Sequence, residues 1–198
     1  MNRVETALMN NPARRAVQRR VEVPLLRRLG GVMAGGRALE LGCGQGYGLR
    51  LILEQFGADE VLGVDVDPHM LRLAGRRTAG YGGRVRLCRA SASELPLADA
   101  TVDAVFDFGI LHHVEDWRAA VAHVRRVLRL GGRFYFEEVT AQALARPSYR
   151  RFLEHPAEDR FSGETLAAEL EARGLRVGRR RVGLVGGDFV VGVAERLQ

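Results

Sequence analysis

From residue 36 onward the chain alternates between short apolar runs and helical repeats, and this alternation constrains the fold more than any other feature. The apolar runs predict buried strands at residues 38–41, 60–66, 84–88, 102–108 and 133–139. Apolar residues at helical spacing predict helices over residues 47–56, 68–77 and 117–130, the last ending at Gly131-Gly132. Repeated strand–helix units form a parallel sheet with helices on both of its faces.

The end of the chain departs from this alternation. A helix is predicted over residues 162–173, and two β-rich runs at 175–185 and 188–195 flank Gly186-Gly187. Strands joined by so tight a turn form an antiparallel hairpin. We therefore expect an α/β fold with a doubly wound, mostly parallel seven-stranded sheet, helices on both faces and an antiparallel C-terminal hairpin.

Length and composition indicate how the chain is organised. Its 198 residues suffice for one core, so we expect a single domain over residues 1–198. Residues 1–30 form an N-terminal helical segment in which four apolar side chains should pack on the body: Val17, Val21, Leu25 and Leu26. Residues 140–162 form an irregular substrate-side insertion. Its aromatic residues either line a substrate pocket or fill a small satellite core: Tyr149, Phe152 and Phe161.

Charge and cysteine content exclude some chemistry and suggest a location. The net charge is +6 and no lysine occurs, so a lysine Schiff base or lysine general base is excluded. The arginines are spread along the chain without interleaved aromatic residues, so nucleic acid is not an expected partner. Cys43 and Cys88 lack metal-ligand spacing and are expected to be reduced thiols, and no bound metal is expected. The sequence shows no signal-peptide pattern and no apolar run of the ~20 residues that a membrane span needs, so we expect a cytoplasmic protein without a membrane partner. We expect it to be a monomer or a homodimer.

The turn after the first strand is the candidate ligand site. It reads Glu40-Leu41-Gly42-Cys43-Gly44-Gln45-Gly46-Tyr47-Gly48. Glycine lets the backbone turn tightly and approach a ligand, and the helix that follows directs free amides towards it. In an open α/β sheet, ligands bind outside the carboxyl ends of the strands.

The residues around this turn discriminate between ligands. A dinucleotide site needs a third glycine at position 47 or 49, where this chain has tyrosine and leucine. Glu40 would repel a pyrophosphate but attract a cation, by about 4 kcal/mol for unit charges ~4 Å apart at an effective dielectric near 20. Asp65, which ends the second strand, can accept hydrogen bonds from ribose hydroxyls in either kind of site. The turn therefore favours a positively charged nucleoside.

Five segments at matching spacing resemble the motifs of class I S-adenosylmethionine-dependent methyltransferases, especially the compact branch with Leu-Gly-Cys-Gly-x-Gly and Leu-His-His. The resemblance covers about half of the chain, in five segments: 38–51, 61–70, 88–96, 102–116 and 127–137. It implies that S-adenosylmethionine is bound and released as S-adenosylhomocysteine, with the methyl group moved to a small-molecule acceptor that the sequence does not identify.

The resemblance also implies which residues hold the cofactor. Those around the methionine portion are Glu40, Gly42, Cys43 and Gly44. Asp65 should hold the ribose and Val66 should lie against the adenine, with Ser91 and Ala92 at the adenine edge and Asp107 and Phe108 near the sulfonium. Ser91 departs from the aspartate common in this branch and can still accept a hydrogen bond, so we expect somewhat weaker binding there.

The catalytic residues are harder to predict, because methyl transfer mainly requires alignment. His112 and His113 follow the fourth strand and can act as a base, orient the acceptor or have a structural role. Of the two glutamates that end the fifth strand, Glu137 and Glu138, one should face the crevice, and Glu137 is our candidate. Trp117 should lie in the core.

Two other functions stay open at this point. A non-catalytic protein that binds the cofactor or a partner could have kept the same fold. A nicotinamide-dependent oxidoreductase is disfavoured by the missing third glycine.

Overall fold

The computed structural model describes residues 11–147 and 159–197. The N-terminal helical segment consists of α1 (Pro12–Val17), a π-helical turn (Gln18–Glu22) and α2 (Val23–Gly30). The later helices are α3 (Tyr47–Leu51), which continues into a π-helical turn (Ile52–Phe56), α4 (Pro68–Thr78), α5 (Trp117–Val127), α6 (Ala141–Leu144) and α7 (Gly163–Ala172). Short 3₁₀ helices span Ala79–Arg84, Leu111–His113 and Val185–Gly187.

The strands form one mixed sheet. They are β1 (Arg37–Leu41), β2 (Glu60–Asp65), β3 (Val85–Arg89), β4 (Val102–Phe108), β5 (Leu128–Val139), β6 (Leu175–Arg176), β7 (Arg181–Leu184) and β8 (Phe189–Arg196). Their order is β3-β2-β1-β4-β5-β8-β6, with β7 also paired to β8. The first five are parallel, and β8 runs antiparallel to β5, β6 and β7. The predicted α/β fold and its C-terminal hairpin are confirmed.

The sheet has eight strands instead of seven because the run at 175–185 is interrupted. Gly178 has a φ of +55°, which a regular strand does not allow. Glu171 accepts hydrogen bonds from the backbone N–H groups of Val177 and Gly178 at 2.8 and 3.0 Å. β6 and β7 therefore pair with different parts of β8 and share one edge of the sheet.

Helices cover both faces of the sheet, as predicted. One hydrophobic cluster lies under α5 and α7 and includes Trp117, Val121 and Phe136. The other lies under α2, α3 and α4 and includes Leu26 and Phe106. Among the described residues no helix is both long and apolar enough to cross a membrane.

Two local predictions were wrong. α5 ends at Val127 and not at residue 130, because Leu128 is already extended and pairs with Val102 in β4. In the N-terminal helical segment, Val17 and Val21 are 46% and 50% exposed. The buried side chains are Val23 and Leu26, together with two polar residues, Gln18 and Glu22.

Candidate functional site

The carboxyl ends of β1, β2, β4 and β5 bring the predicted residues together. Leu41 in β1 pairs with Asp107 in β4, and Phe108 pairs with Glu137 in β5. Asp65 ends β2, next to β1. Because these strands are parallel, the four carboxylates of Glu40, Asp65, Asp107 and Glu137 lie along one edge of the sheet.

The glycine turn leaves β1 with three left-handed residues: Gly42, Gly44 and Gly46 have φ values of +56°, +49° and +79°. A Cβ on Gly42 would collide with Ile110, whereas one on Gly44 would meet only a backbone oxygen 4.0 Å away. The side of the turn at Gly44 is therefore open to a ligand, and the side at Gly42 is closed by the loop that follows β4.

Cys43 lies beneath the turn and not at its open side. Its side chain is 4% exposed, and a Cβ on Gly63 would lie 2.9 Å from its sulfur. Its backbone N–H donates to Val64 at 2.9 Å, and burial raises its thiol pKa above the ordinary value. Cys43 therefore supports the shape of the turn with a thiol that stays protonated, and contact with a cofactor stays a prediction.

Glu40, near the end of β1, is buried against the first turn of α3. Its carboxylate lies against Gly48, where a side chain would overlap it, and accepts a hydrogen bond from the backbone N–H of Leu49. Burial, followed by the charges of Asp65 and Asp107, raises its pKa well above the ordinary value. Its Oε2 has no hydrogen-bond partner among the described residues.

Asp65 stabilises the glycine turn and the start of the loop after β2 through two hydrogen bonds. Its Oδ2 accepts from the backbone N–H of Gly44 at 2.8 Å, and its Oδ1 accepts from that of Asp67 at 2.9 Å. Each oxygen keeps a further lone pair for a ligand hydroxyl. Val66, the next residue, is 62% exposed, so its side chain is accessible to a ligand. Asp67 caps α4 by accepting from His69 at 2.7 Å.

The predicted adenine edge follows β3. Ser91 shares a 2.8 Å hydrogen bond with the hydroxyl of Ser93 and pairs with Glu94 in an isolated bridge. Ala92 is 7% exposed, and no described residue accepts a hydrogen bond from its backbone N–H. The predicted use of that amide is therefore compatible with the structure.

Asp107 is the second buried carboxylate at this edge of the sheet. Its Oδ1 accepts from the backbone N–H of Ile110 at 2.9 Å, while no described residue donates to its Oδ2. Its carboxyl also lies within hydrogen-bond range of the Glu138 carboxyl, so that a proton held by either acid joins the two. Burial, and then neighbouring Glu138, raises its pKa well above the ordinary value. Phe108, the next residue, lies on the opposite face of the sheet and stacks on Phe106 with ring centroids 6.0 Å apart.

Glu138 holds the loop after β4. This fully buried carboxylate accepts from the backbone N–H groups of Leu111 and His112 at 2.6 and 3.3 Å and lies 2.6 Å from Nδ1 of His112. Burial raises the Glu138 pKa to about 8 and lowers the His112 pKa to about 3. The two groups therefore share one proton, and the imidazole stays uncharged. The His113 ring lies 4.2 Å from that of His112.

Glu137 faces the other side of the sheet, where Arg14 of α1 meets it. One guanidinium nitrogen of Arg14 lies 2.9 Å from Glu137, and another lies 2.7 Å from Glu22. Burial, and then the charge of Glu22, raises the Glu137 pKa to about 8 despite Arg14. Sequence reasoning missed Arg14 and Glu22; their spacing of eight residues, about two helical turns, was the available signal.

The residues suit a cationic cofactor. An ammonium group could donate to Oε2 of Glu40 or Oδ2 of Asp107, and the open backbone at Gly44 leaves room beside them. A pyrophosphate would meet the same buried carboxylates with unfavourable charge. The site therefore fits S-adenosylmethionine better than a dinucleotide.

The predicted aromatic residues divide into two groups. Trp117 is in the core as predicted, and Phe161 packs on it with ring centroids 4.9 Å apart, so Phe161 fills a core. The indole N–H of Trp117 donates to the backbone of Asp159 at 2.8 Å. Tyr149 and Phe152, within the predicted 140–162 insertion, lie outside the described residues.

Comparison with known proteins places this site in a family. Residues 39–136 match the family model described as "Methyltransferase domain". A probable S-adenosylmethionine-dependent methyltransferase of Mycolicibacterium smegmatis is 40% identical over 59% of this chain. The O-methyltransferase rstn1 of Aspergillus nomiae is 30% identical over 72% of the chain, and the ubiquinone/menaquinone biosynthesis C-methyltransferase UbiE of Syntrophotalea carbinolica is 35% identical over 75%.

The fold gives the same result. A crystal structure of an S-adenosylmethionine-dependent methyltransferase from Aquifex aeolicus superposes with a TM-score of 0.77, covering all of both chains at 21% identity. That structure shares the fold, and the family model together with the sequence relatives assigns the protein to the class I S-adenosylmethionine-dependent methyltransferases, so the dinucleotide-binding alternative is not favoured. The chain spans 42% of the Mycolicibacterium relative and 65% and 63% of the other two.

Proposed function

We propose that this protein transfers a methyl group from S-adenosylmethionine to a small-molecule acceptor in the cytoplasm. The observation that carries the proposal is the buried Oε2 of Glu40, which has no hydrogen-bond partner among the described residues and lies beside an open glycine turn. A buried polar atom left unsatisfied costs about 1–3 kcal/mol, so a ligand that donates a hydrogen bond to Glu40 would be bound favourably there.

Each cofactor-binding residue has a stated task in this proposal. Glu40 accepts from the ammonium group, and Asp65 accepts from the ribose hydroxyls while it braces Gly44. Val66 covers one face of the adenine. Ser91 accepts a hydrogen bond from the adenine edge, and the backbone N–H of Ala92 donates one to it. Asp107 and Phe108 lie against the sulfonium end, with Asp107 contributing negative charge.

The bound cofactor supplies an electrophilic methyl group whose leaving group is a neutral thioether. The chain's own residues then have to orient the acceptor, exclude water and receive any proton. Positioning of this kind can lower a barrier by about 7–11 kcal/mol. Ile110, packed against Gly42, and the loop held by Glu138 close the crevice near the reacting end.

His112 and Glu138 are our candidates for moving a proton. The pair can accept a proton only in the form in which Glu138 is ionised and Nδ1 of His112 holds the proton, a form that becomes abundant as pH approaches 8. Because burial disfavours an imidazolium, a proton that then arrives at Nε2 of His112 has to be accompanied by transfer of the Nδ1 proton to Glu138. The pair would then accept one proton without placing a cation in the crevice. The O- and C-methyltransferases among the relatives support this role, since hydroxyl and carbon acceptors both lose a proton. His113 and Glu137 would orient the acceptor.

Calorimetric titration with S-adenosylhomocysteine tests the cofactor site. We expect micromolar binding, and Asp65→Ala should weaken it strongly. Asp59→Ala is the matched control, because Asp59 accepts from the backbone N–H of Gly36 at 2.8 Å near the opposite end of the same strand. Equal affinity in wild type and Asp65→Ala, or binding of NADH in place of the nucleoside, would refute the proposed function.

A further inference from the structure

The N-terminal helical segment has reversed amphipathicity. Val17 and Val21 are about half exposed, while Gln18 and Glu22 are 8% and 6% exposed. Arg14, Gln18 and Glu22 are spaced four residues apart and so lie on one face of the helix. A helix that only covers a core places its apolar residues inward. Here a polar face points inward instead, towards the carboxyl end of β5.

Ion pairs connect the two ends of this polar face to each other and, through Arg14, to the sheet. Arg14 bridges Glu22 at 2.7 Å and Glu137 at 2.9 Å, and both carboxylates are nearly buried. The single guanidinium group of Arg14 therefore forms ion pairs with two carboxylates. The cluster is left with an excess of negative charge, or with a proton on one of its acids.

Gln18 lies between these ends and has no partner. Although its side chain is more than nine-tenths buried, no described residue hydrogen-bonds its amide. The π-helical turn Gln18–Glu22 begins at this residue, and such turns occur frequently at functional sites. Unlike Oε2 of Glu40 and Oδ2 of Asp107, the Gln18 amide is still reached by solvent, so a ligand can pair with it.

We propose that Gln18, together with Glu22 and Glu137 held by Arg14, forms the acceptor-binding site, and that it takes a neutral or cationic small molecule with a hydroxyl or amine group. The inference rests on the proposed function, because it places the acceptor beside the cofactor crevice. The amide of Gln18 both donates to and accepts from the acceptor's polar group, and Glu137 accepts from it.

The charge of the surroundings sets this preference. Glu22, Glu40, Asp107, Glu137 and Glu138 are all buried at this end of the sheet. Arg14 is already paired with two of these acids, so an anionic acceptor would lose its hydration without an opposite charge to compensate it, whereas a hydroxyl or ammonium group can donate to carboxylate oxygens.

Nuclear magnetic resonance of glutamine side chains tests the site directly. The protein is labelled with ¹⁵N-glutamine, saturated with S-adenosylhomocysteine and titrated with benzyl alcohol, benzylamine and benzoate, which share a ring and differ in the polar group. We expect the first two to shift the Gln18 amide signal and benzoate to leave it in place. Gln18→Leu should weaken binding of the first two by about ten-fold or more, as the loss of a hydrogen bond implies.

Gln55→Leu is the matched control, because Gln55 lies partly buried on another helical segment, the turn Ile52–Phe56. It should bind the fragments as wild type does, and both variants should keep the wild-type affinity for S-adenosylhomocysteine. A Gln18 signal that responds to benzoate alone, or to none of the three, overturns the proposal, and this wild-type measurement decides the matter even if Gln18→Leu does not fold. Failure of the proposed function is seen separately, as loss of nucleoside binding before any fragment is added.

Discussion

Gly48 offers the sharpest test of how Glu40 is positioned. A Cβ built on this residue overlaps the Glu40 carboxylate, with its Cδ at 2.7 Å, and lies 2.9 Å from the Phe108 ring. Overpacking of this kind costs about 1–3 kcal/mol. The better helix propensity of alanine offsets about 1 kcal/mol of that. We therefore expect Gly48→Ala to destabilise the fold by about 0–2 kcal/mol.

The effect of Gly48→Ala on ligand binding should be larger than its effect on stability. The displaced Glu40 would lose a charge-assisted hydrogen bond worth about 1.5–3 kcal/mol, which corresponds to a roughly 10- to 100-fold weaker affinity. Calorimetric titration with S-adenosylhomocysteine measures the affinity, and urea denaturation measures the free energy of unfolding.

Gly75→Ala is the matched control for Gly48→Ala. Gly75 also lies within a helix, α4, but a Cβ there meets only Leu87 at an ordinary 3.6 Å. This variant should be more stable than wild type by about 0.5–1 kcal/mol, with unchanged affinity. Wild-type affinity in Gly48→Ala would refute the reasoning that Glu40 holds the ligand from beneath α3.

Three further predictions concern buried titratable groups. Burial raises the Glu137 and Glu138 pKa values to about 8, so protonation favours the folded state. The free energy of unfolding should fall as pH rises from 5 to 8, by up to ~1.4 kcal/mol per pH unit for each group, and Glu137→Gln should flatten the curve measured by denaturation. His112 should stay neutral in ¹⁵N resonance titrations down to about pH 4, since its pKa is lowered to about 3; titration near 6.5 would contradict this. Above pH 8, where Glu138 is ionised, Glu138→Gln should speed hydrogen exchange of the Leu111 amide about ten-fold or more, because a neutral acceptor holds that amide less tightly; unchanged exchange at that pH would contradict this.

Much of the fold could be predicted from local patterns. β4 has its predicted bounds, and Ser162 caps α7 by accepting from Thr165, as the Ser-Gly-Glu-Thr sequence indicates. The glycine turn also could be placed, because glycine adopts a left-handed backbone conformation without the steric cost that other residues meet. These features depend on residues close together in the chain, where conformational preference and periodicity operate.

The wrong predictions share a different cause. Val17 and Val21 have the spacing of a buried stripe, but the inward face of that helix was decided by Arg14, which pairs with a glutamate 123 residues away. The C-terminal end of α5 was likewise decided by the pairing of Leu128 with Val102. Long-range contacts of this kind leave no local periodicity.

The sequence by itself therefore determined the class of fold, the position of the glycine turn that we propose as the cofactor site, and the acidic residues beside it. Only the tertiary structure decided which acids are buried and which of their oxygens lack partners among the described residues. It also decided that Glu138 contacts His112 whereas Glu137 forms an ion pair with Arg14. Alternation along a strand places neighbouring side chains on opposite faces, but what each one meets there depends on helices far away in the chain.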